Sequence, residues 1–523
     1  MPNYKAYNYD QTTMVVINFE DQIQPGTFEH AIHYLIDQRL DLSVFDPKYQ
    51  NDHGGRAAYD PAILLKIILF AYSKGITSSR EIQWCCEHNI LFKALSCDTV
   101  PHFTTIASFV SRYPEAIESI FEQVLLVCHE EGLLGNELFA IDGCKMSSDA
   151  AKEWSGKLHE LGEKRDKIRR KIRHCLKEHK NLDKRNADNK ERAQRLAQSA
   201  DTLTKAFDKI DQFLKTASPR MGQGKRPKEV KSNITDNESA KMTTSKGTIQ
   251  GYNGIAAVDK KHQIIVEARA FGEGQEHHTL EPILQSLAAR YRRTGISDDI
   301  LGTQAIITAD TGFSNDANNQ YLRSQKINAY IPDNRFRSRD PKFDDQKDKY
   351  GMRHPGQGLD QPVIPTTEFE FDPVRKTCVC PQGNPMWLHS DRTLNNGVRR
   401  IAFEGRLTDC RQCAIKTKCM KNPESASTRK GHGRQVSFTV KARRKTTATD
   451  WMKQRVDSQK GKQIYSHRMS VVEPVFGNLG ANKGLNRFSL RGKTKVNGQW
   501  QLFCLIQNVE KLMRYGNLEG KAG

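Results

Sequence analysis

The chain has 523 residues, room for roughly two to four domains at ~150 residues each and for a core that needs no disulfide or metal staples. Its 81 lysines and arginines against 61 aspartates and glutamates leave a formal net charge of +20, which points to a polyanionic partner, nucleic acid before membrane. There is no apolar signal region and no run of 18 apolar residues, so the expectation is a cytoplasmic, nucleoid-associated chain with no membrane partner.

Residues 1–130 read as a helical domain. Phe28 to Leu40, Pro61 to Lys74, Ser78 to His88 and Thr104 to Tyr113 all carry apolar residues three to four apart. Pro61 suits a first helical position, and Ser78-Ser79-Arg80-Glu81 has the form of a capping box. The short helices around Gly75 resemble a helix-turn-helix unit with Thr104 to Arg112 as its groove-reading helix; the plainer reading is a small bundle.

Two stretches further on, Leu138-Phe139-Ala140-Ile141-Asp142-Gly143 and Ala305-Ile306-Ile307-Thr308-Ala309-Asp310-Thr311-Gly312, are short apolar runs ending in Asp and Gly. They read as buried strands, each with an Asp at its carboxyl end, where α/β sheets bind ligands. Residues 131–150 hold the first of them. Between the two, residues 151–217 carry 19 Lys and Arg against 11 Asp and Glu. Leu158, Leu161, Ile168, Ile172, Cys175 and Leu182 make one apolar stripe and Leu196, Leu203, Ile210 and Leu214 another, with turn-forming residues over Asn181 to Asn189. That pattern predicts an antiparallel helical hairpin, either a basic arm along DNA or between protomers, or a solvated coiled pair.

Residues 218–340 open on a basic Pro/Gly linker, Ser218 to Lys231. The pattern then predicts strands over Gly247 to Asp259 and Gln263 to Phe271, a helix over His278 to Arg293, the Asp310 strand, a helix over Asn318 to Gln325 and a strand at Ala329 to Pro332. Asp259, Glu273, Glu276, His277 and His278 are rival acidic or metal-ligating candidates. Asp259 falls in a turn and the others begin a helix, where capping is the commoner role.

The periodicity breaks from Arg335 to Thr449. Arg335 to Gln361 is polar and basic and reads as a mobile loop. Five cysteines then cluster at 378, 380, 410, 413 and 419, while seven are scattered elsewhere, which suits reduced thiols plus one metal site. Cys380, Cys410, Cys413 and Cys419 are the candidate ligands of a structural Zn²⁺ in an insertion over 341–449, with Cys378 as the alternative first ligand. The bland alternative is unliganded thiols in a loop.

Residues 450–523 contain Tyr465-Ser466-His467-Arg468-Met469-Ser470-Val471-Val472-Glu473-Pro474-Val475-Phe476-Gly477. Val471, Val475 and Leu479, with Val472 and Phe476 beside them, form one helical face, and Glu473 falls off it. A carboxylate among basic residues (His467, Arg468, Lys483, Arg487 and Arg491) suits a metal ion meeting a phosphate backbone; a solvated surface Glu is the plain alternative.

With Asp142, Asp310 and Glu473 in place, the chain resembles the DDE transposases of bacterial insertion sequences over about Phe45 to Leu512, the three acids matching the Asp-Asp-Glu triad. The resemblance implies an α/β fold with a ribonuclease H-like mixed sheet flanked by helices. To this are added an N-terminal helical domain for end recognition or dimer contacts, the hairpin, and a small zinc-ribbon-like insertion between the second Asp and the Glu. It implies Mg²⁺ (or Mn²⁺) held by the triad, and the element's terminal inverted repeats and target DNA as partners, engaged by a homodimer or higher assembly. Tyr465, Arg468, Lys483, Arg487 and Arg491 are the candidate DNA contacts. The chain departs from the family's Y-x2-R-x3-E-x6-K signature: Arg468 precedes Glu473 by five residues and Gly480 stands at the lysine position. Five residues turn Arg468 about 140° from Glu473 on an ideal helix, which a kink at Pro474 could relieve. A nuclease of the same fold that does not transpose, or a zinc-containing DNA-binding regulator with a dead triad, are the competing readings.

Overall fold

The computed structural model describes residues 16–49, 57–184, 190–223, 227–343, 363–394, 398–440 and 446–518. The chain divides into two compact units. One comprises residues up to Ser314 with Tyr321–Ile331 and Lys462 onward, the other Asn315–Gln320 and Pro332–Gly461.

The first unit opens with six helices: α1 (Phe28–Tyr34), α2 (Pro61–Ser73), α3 (Ser79–His88), α4 (Ile90–Leu95), α5 (Phe103–Arg112) and α6 (Pro114–Glu130). Asp60 caps α2 by accepting the Ala62 N–H at 2.7 Å, and Pro61 sits in the first turn, where its missing N–H costs nothing. Leu64 to Tyr72 are all buried, so α2 is the centre of this bundle. The capping box expected at Ser78 does not form. Ser78 is the N-cap residue, but its side chain makes no capping hydrogen bond.

A mixed sheet follows. Its strands are β1 (Leu138–Ser147), β2 (Ala240–Thr244), β3 (Gly247–Asp259), β4 (Ile265–Phe271), β5 (Ile306–Ala309) and β6 (Ala329–Tyr330). β3 pairs antiparallel with β1 on one side and with β2 and β4 on the other, whereas β1, β5 and β6 run parallel. The predicted hairpin is present as α7 (Leu158–Lys184) and α8 (Lys190–Thr216), packed on each other between β1 and β2, with Leu161 and Ile210 fully covered. Residues 185–189 of the predicted turn lie outside the described residues.

Helix α9 (Leu280–Arg293) is tied to β4 and α6 through the buried Arg290, which donates to Glu267 at 2.7 Å and to Glu122 at 3.2 Å. Two late helices, α10 (Gln459–Gly477) and α11 (Lys493–Tyr515), complete the unit. Sequence patterning gives α11 no separate identity, yet it packs on β4 and α6, and Val496, Trp500, Leu502 to Ile506 and Val509 are buried. A helix covered on most sides shows little amphipathic period, so its signal is weak. No helix among the described residues is long and apolar enough to cross a membrane.

The second unit holds an antiparallel sheet of β7 (Glu370–Asp372), β8 (Thr377–Val379), β9 (Pro385–Thr393), β10 (Arg399–Glu404) and β11 (Gln435–Val440), in the order β11-β10-β9-β8-β7. Phe369, Cys378, Met386, Ile401, Phe403 and Val436 form its core. The loop expected from Arg335 begins instead with a short helix at Phe336–Arg339 whose Phe336 is buried and whose Arg339 bridges Asp333 and Asp457 at 2.7 and 2.8 Å. Residues 344–361 of that prediction lie outside the described residues.

Candidate active site

Strand register brings two of the predicted acids together. The parallel β1–β5 ladder ends at Ile141 opposite Ala309, so Asp142 and Asp310 each stand one residue past the last pair, on neighbouring strands ~4.8 Å apart. Asp142 is not at the end of its strand, as expected, but in mid-strand: β1 runs on to Ser147 against β3. What ends at Asp142 is the pairing with its parallel neighbour.

Asp142 is mostly buried, and Arg468 of α10 reaches it with Nη2 to Oδ2 at 2.7 Å. The Gly143 N–H donates to its other oxygen at 2.9 Å. Burial nevertheless lifts the Asp142 carboxyl above its usual range, because desolvation outweighs the guanidinium and the N–H, and the Asp310 charge adds to the rise. The Arg468 side chain is only 7% exposed, and its Nε has no hydrogen-bond partner among the described residues.

Val471, Val472, Val475 and Leu479 are buried, as the spacing of α10 predicts. Glu473 is exposed and makes no hydrogen bond or ion pair among the described residues. Pro474 stands inside a continuous helix, and a π-helical turn at Asn478–Asn482 follows it. Arg468 and Glu473 differ in environment along this helix: Arg468 is buried and Glu473 is exposed.

The rival acids separate by environment. Asp259 lies at the far end of β3, opposite Phe139, and accepts the backbone N–H groups of Gly135, Asn136 and Lys261 at 2.7 to 3.1 Å, a turn lock. Glu273 meets Gln223 and His278. Glu276, His277 and His278 do not open the helix, as expected, but form a separate 3₁₀ turn ahead of α9, whose N-cap is Thr279. Glu276 is raised by burial, and the charges of both Asp142 and Asp310 bear on it, against those of Lys145 and Arg468. Sequence reasoning names it only as a rival; the signal it lacked is the fold that brings residue 276 to residue 310.

Of the candidate DNA contacts, Arg487 and Arg491 are half exposed or more and sit at the continuation of β1, with Asp149 at 3.7 and 2.9 Å. Lys483 is instead turned inward, its ammonium on Glu510 and its side chain 8% exposed. Tyr465 is partly buried on α10.

In the second unit Cys380, Cys410, Cys413 and Cys419 all line one cavity of about 30 Å³. The Arg434 N–H donates to Cys410 Sγ at 3.5 Å. A Cβ on Gly405 or Gly433 would lie 2.8 or 3.0 Å from that sulfur, so both glycines clear its approach. Burial raises the Cys410 and Cys419 thiols, and the neighbouring thiols raise them further. Cys378 is in the β-sheet core against Met386, sulfur to sulfur 3.7 Å, where burial pushes its thiol up to about 11. Among the described residues no three acidic, histidine or cysteine side chains are drawn close enough to hold a metal ion as they stand. Like charges keep carboxylates apart without a cation between them.

Two family models match the chain: a transposase DDE domain over residues 379–513 and a transposase domain (DUF772) over residues 17–112. The first covers the cysteine module and α10 with Glu473; Asp142 and Asp310 lie outside both. No curated protein matches the chain. The matches define an enzyme that cuts and transfers DNA. The two matches support a DDE transposase of bacterial insertion sequences.

Proposed function

We propose that the chain cleaves the ends of its insertion sequence and joins them to target DNA, with Asp142, Asp310 and Glu473 as the metal-binding triad of a ribonuclease H-like domain. The observation that carries this is the register that seats Asp142 and Asp310 side by side beyond a parallel ladder. Hard carboxylate oxygens fit Mg²⁺ or Mn²⁺, and the solvent-facing Glu473 has no competing partner among the described residues. Divalent ions bound there would supply Lewis-acid activation of the attacking oxygen and stabilisation of the leaving one.

The chain's own residues do the rest. Arg468 orients Asp142, and its free Nε can donate to a phosphate oxygen. Arg487 and Arg491, exposed beside the extension of β1, meet the backbone of the incoming strand, and Tyr465 flanks it. Water and later a 3′-hydroxyl serve as nucleophiles, so no side chain needs to attack. A homodimer or higher assembly on DNA, within the cytoplasm, fits an enzyme that must hold two ends. In the second unit we propose one structural Zn²⁺ on Cys380, Cys410, Cys413 and Cys419. This rests on their shared cavity and on the N–H donor and glycine clearance at Cys410. The family matches favour neither the non-transposing nuclease nor the inactive regulator.

The test is cleavage and joining of an end-containing duplex with Mg²⁺ or Mn²⁺, beside a binding measurement. Asp142→Asn, Asp310→Asn and Glu473→Gln should each abolish cleavage and leave end binding intact, because phosphate contacts come from separate basic residues. Cutting at the parent rate by Glu473→Gln would remove that residue from the triad.

A further inference from the structure

We infer that Glu276 is a metal-site carboxylate of the Asp142–Asp310 centre, seated there through Gly312 on the turn that follows Asp310. The inference rests on the metal-site reading above and adds a residue that the triad does not include. The 3₁₀ turn carrying Glu276 packs against the 3₁₀ turn Thr311–Phe313 directly after Asp310. A Cβ built on Gly312 would lie 2.2 Å from Glu276 Oε2, so a larger residue there would push the carboxylate aside. Gly312 does not occupy the left-handed backbone region, so its own conformation makes no demand for glycine. The glycine leaves room for the Glu276 carboxylate beside that turn.

That carboxylate has no structural employment. Glu267 is held by Arg290, Glu273 by Gln223 and His278, and Asp259 by three backbone N–H groups. Glu276 makes no side-chain hydrogen bond or ion pair among the described residues, although it is partly buried. A carboxylate taken from water beside two aspartates is unfavourable as a bare charge, and either a proton or a cation relieves it. An unused donor that suits an anionic ligand such as a phosphate oxygen lies beside Asp142. Arg468, whose Nη2 engages Asp142, is 93% buried there, and its Nε still lacks a partner. Lys145 and Arg468 are the cations whose charges bear most on Glu276, and neither ion-pairs with it.

The experiment is Mn²⁺ titration of the full chain without DNA, followed by the loss of the free-ion electron paramagnetic resonance signal, so that the readout is binding and not catalysis. Glu276→Gln, close to isosteric, should weaken Mn²⁺ binding at least about tenfold. Gly312→Ala keeps every charge but displaces the carboxylate, and should weaken binding as well. Glu273→Gln removes a charge three residues away and should bind as the parent does. Circular dichroism melting of each variant separates these losses from misfolding. If Asp142→Asn weakens binding and folded Glu276→Gln does not, the role of Glu276 is overturned while the metal centre stands. If Asp142→Asn and Asp310→Asn both bind Mn²⁺ as the parent does, the metal centre itself fails, and the inference with it.

Discussion

Replacing Arg468 by Met probes the one strong contact inside the candidate site. Its Nη2 lies 2.7 Å from Asp142 Oδ2, with 7% of the arginine side chain and 24% of the aspartate side chain exposed. Breaking a fully buried pair by removing one partner costs about 3–5 kcal/mol. The exposed quarter of Asp142 lets water recover part of that, so the expected loss is ~2 kcal/mol at neutral pH. The sign with pH follows from the Asp142 carboxyl, which burial already holds above its ordinary value despite Arg468. Its proton-linked stability is complete below the unfolded value of about 3.9 and is lost as pH rises through the folded value. Removing the guanidinium moves that folded value higher still. The variant should therefore match the parent closely near pH 4 and fall furthest behind at pH 7. Asp142→Asn in the Arg468→Met background should restore most of the loss, since no charge is then left unpaired. Urea unfolding followed by circular dichroism at several pH values measures all four corners of this cycle. A deficit at pH 7 below about 0.5 kcal/mol, the scale of an exposed pair, or one that does not shrink in acid, would refute the reasoning.

Purified protein should contain one zinc per chain. Cys410→Ser, Cys413→Ser or Cys380→Ser should lose it and unfold the cysteine module locally, whereas Cys378→Ser should keep it, because Cys378 belongs to the β-sheet core; absence of zinc with all five clustered thiols freely reactive would end the zinc assignment. DNA binding should weaken steeply with salt, since each neutralised phosphate releases about 0.9 counterion, and Arg487→Ala and Arg491→Ala should each lower the logarithmic slope by about one. A flat dependence in the parent would mean that the excess positive charge faces something other than DNA.

The local pattern of the sequence determines most of the elements. Alternation and apolar runs bound β3 and β4 and locate the Asp310 strand, the leucine stripes define the α7–α8 hairpin, and the four-residue spacing of Val471, Val475 and Leu479 orients α10 with Glu473 off its packed face. Each of these depends on side chains a few residues apart, so the period itself carries the information. Four cysteines could be proposed as one set for the same reason, two of them on a single turn. Where Cys378 lies is visible only in the folded sheet, which buries it against Met386, while the other four line one cavity. Long-range register is likewise invisible in the chain: that Ile141 meets Ala309, and so Asp142 meets Asp310, depends on pairing across 168 residues. The same holds for Lys483, which reads as a free cation but is used on Glu510, and for α11, whose burial on most sides erases its period. Glu276 shows the difference most directly. In sequence it is one acid in a His-rich turn, and only the fold lays it against a glycine beside the second aspartate.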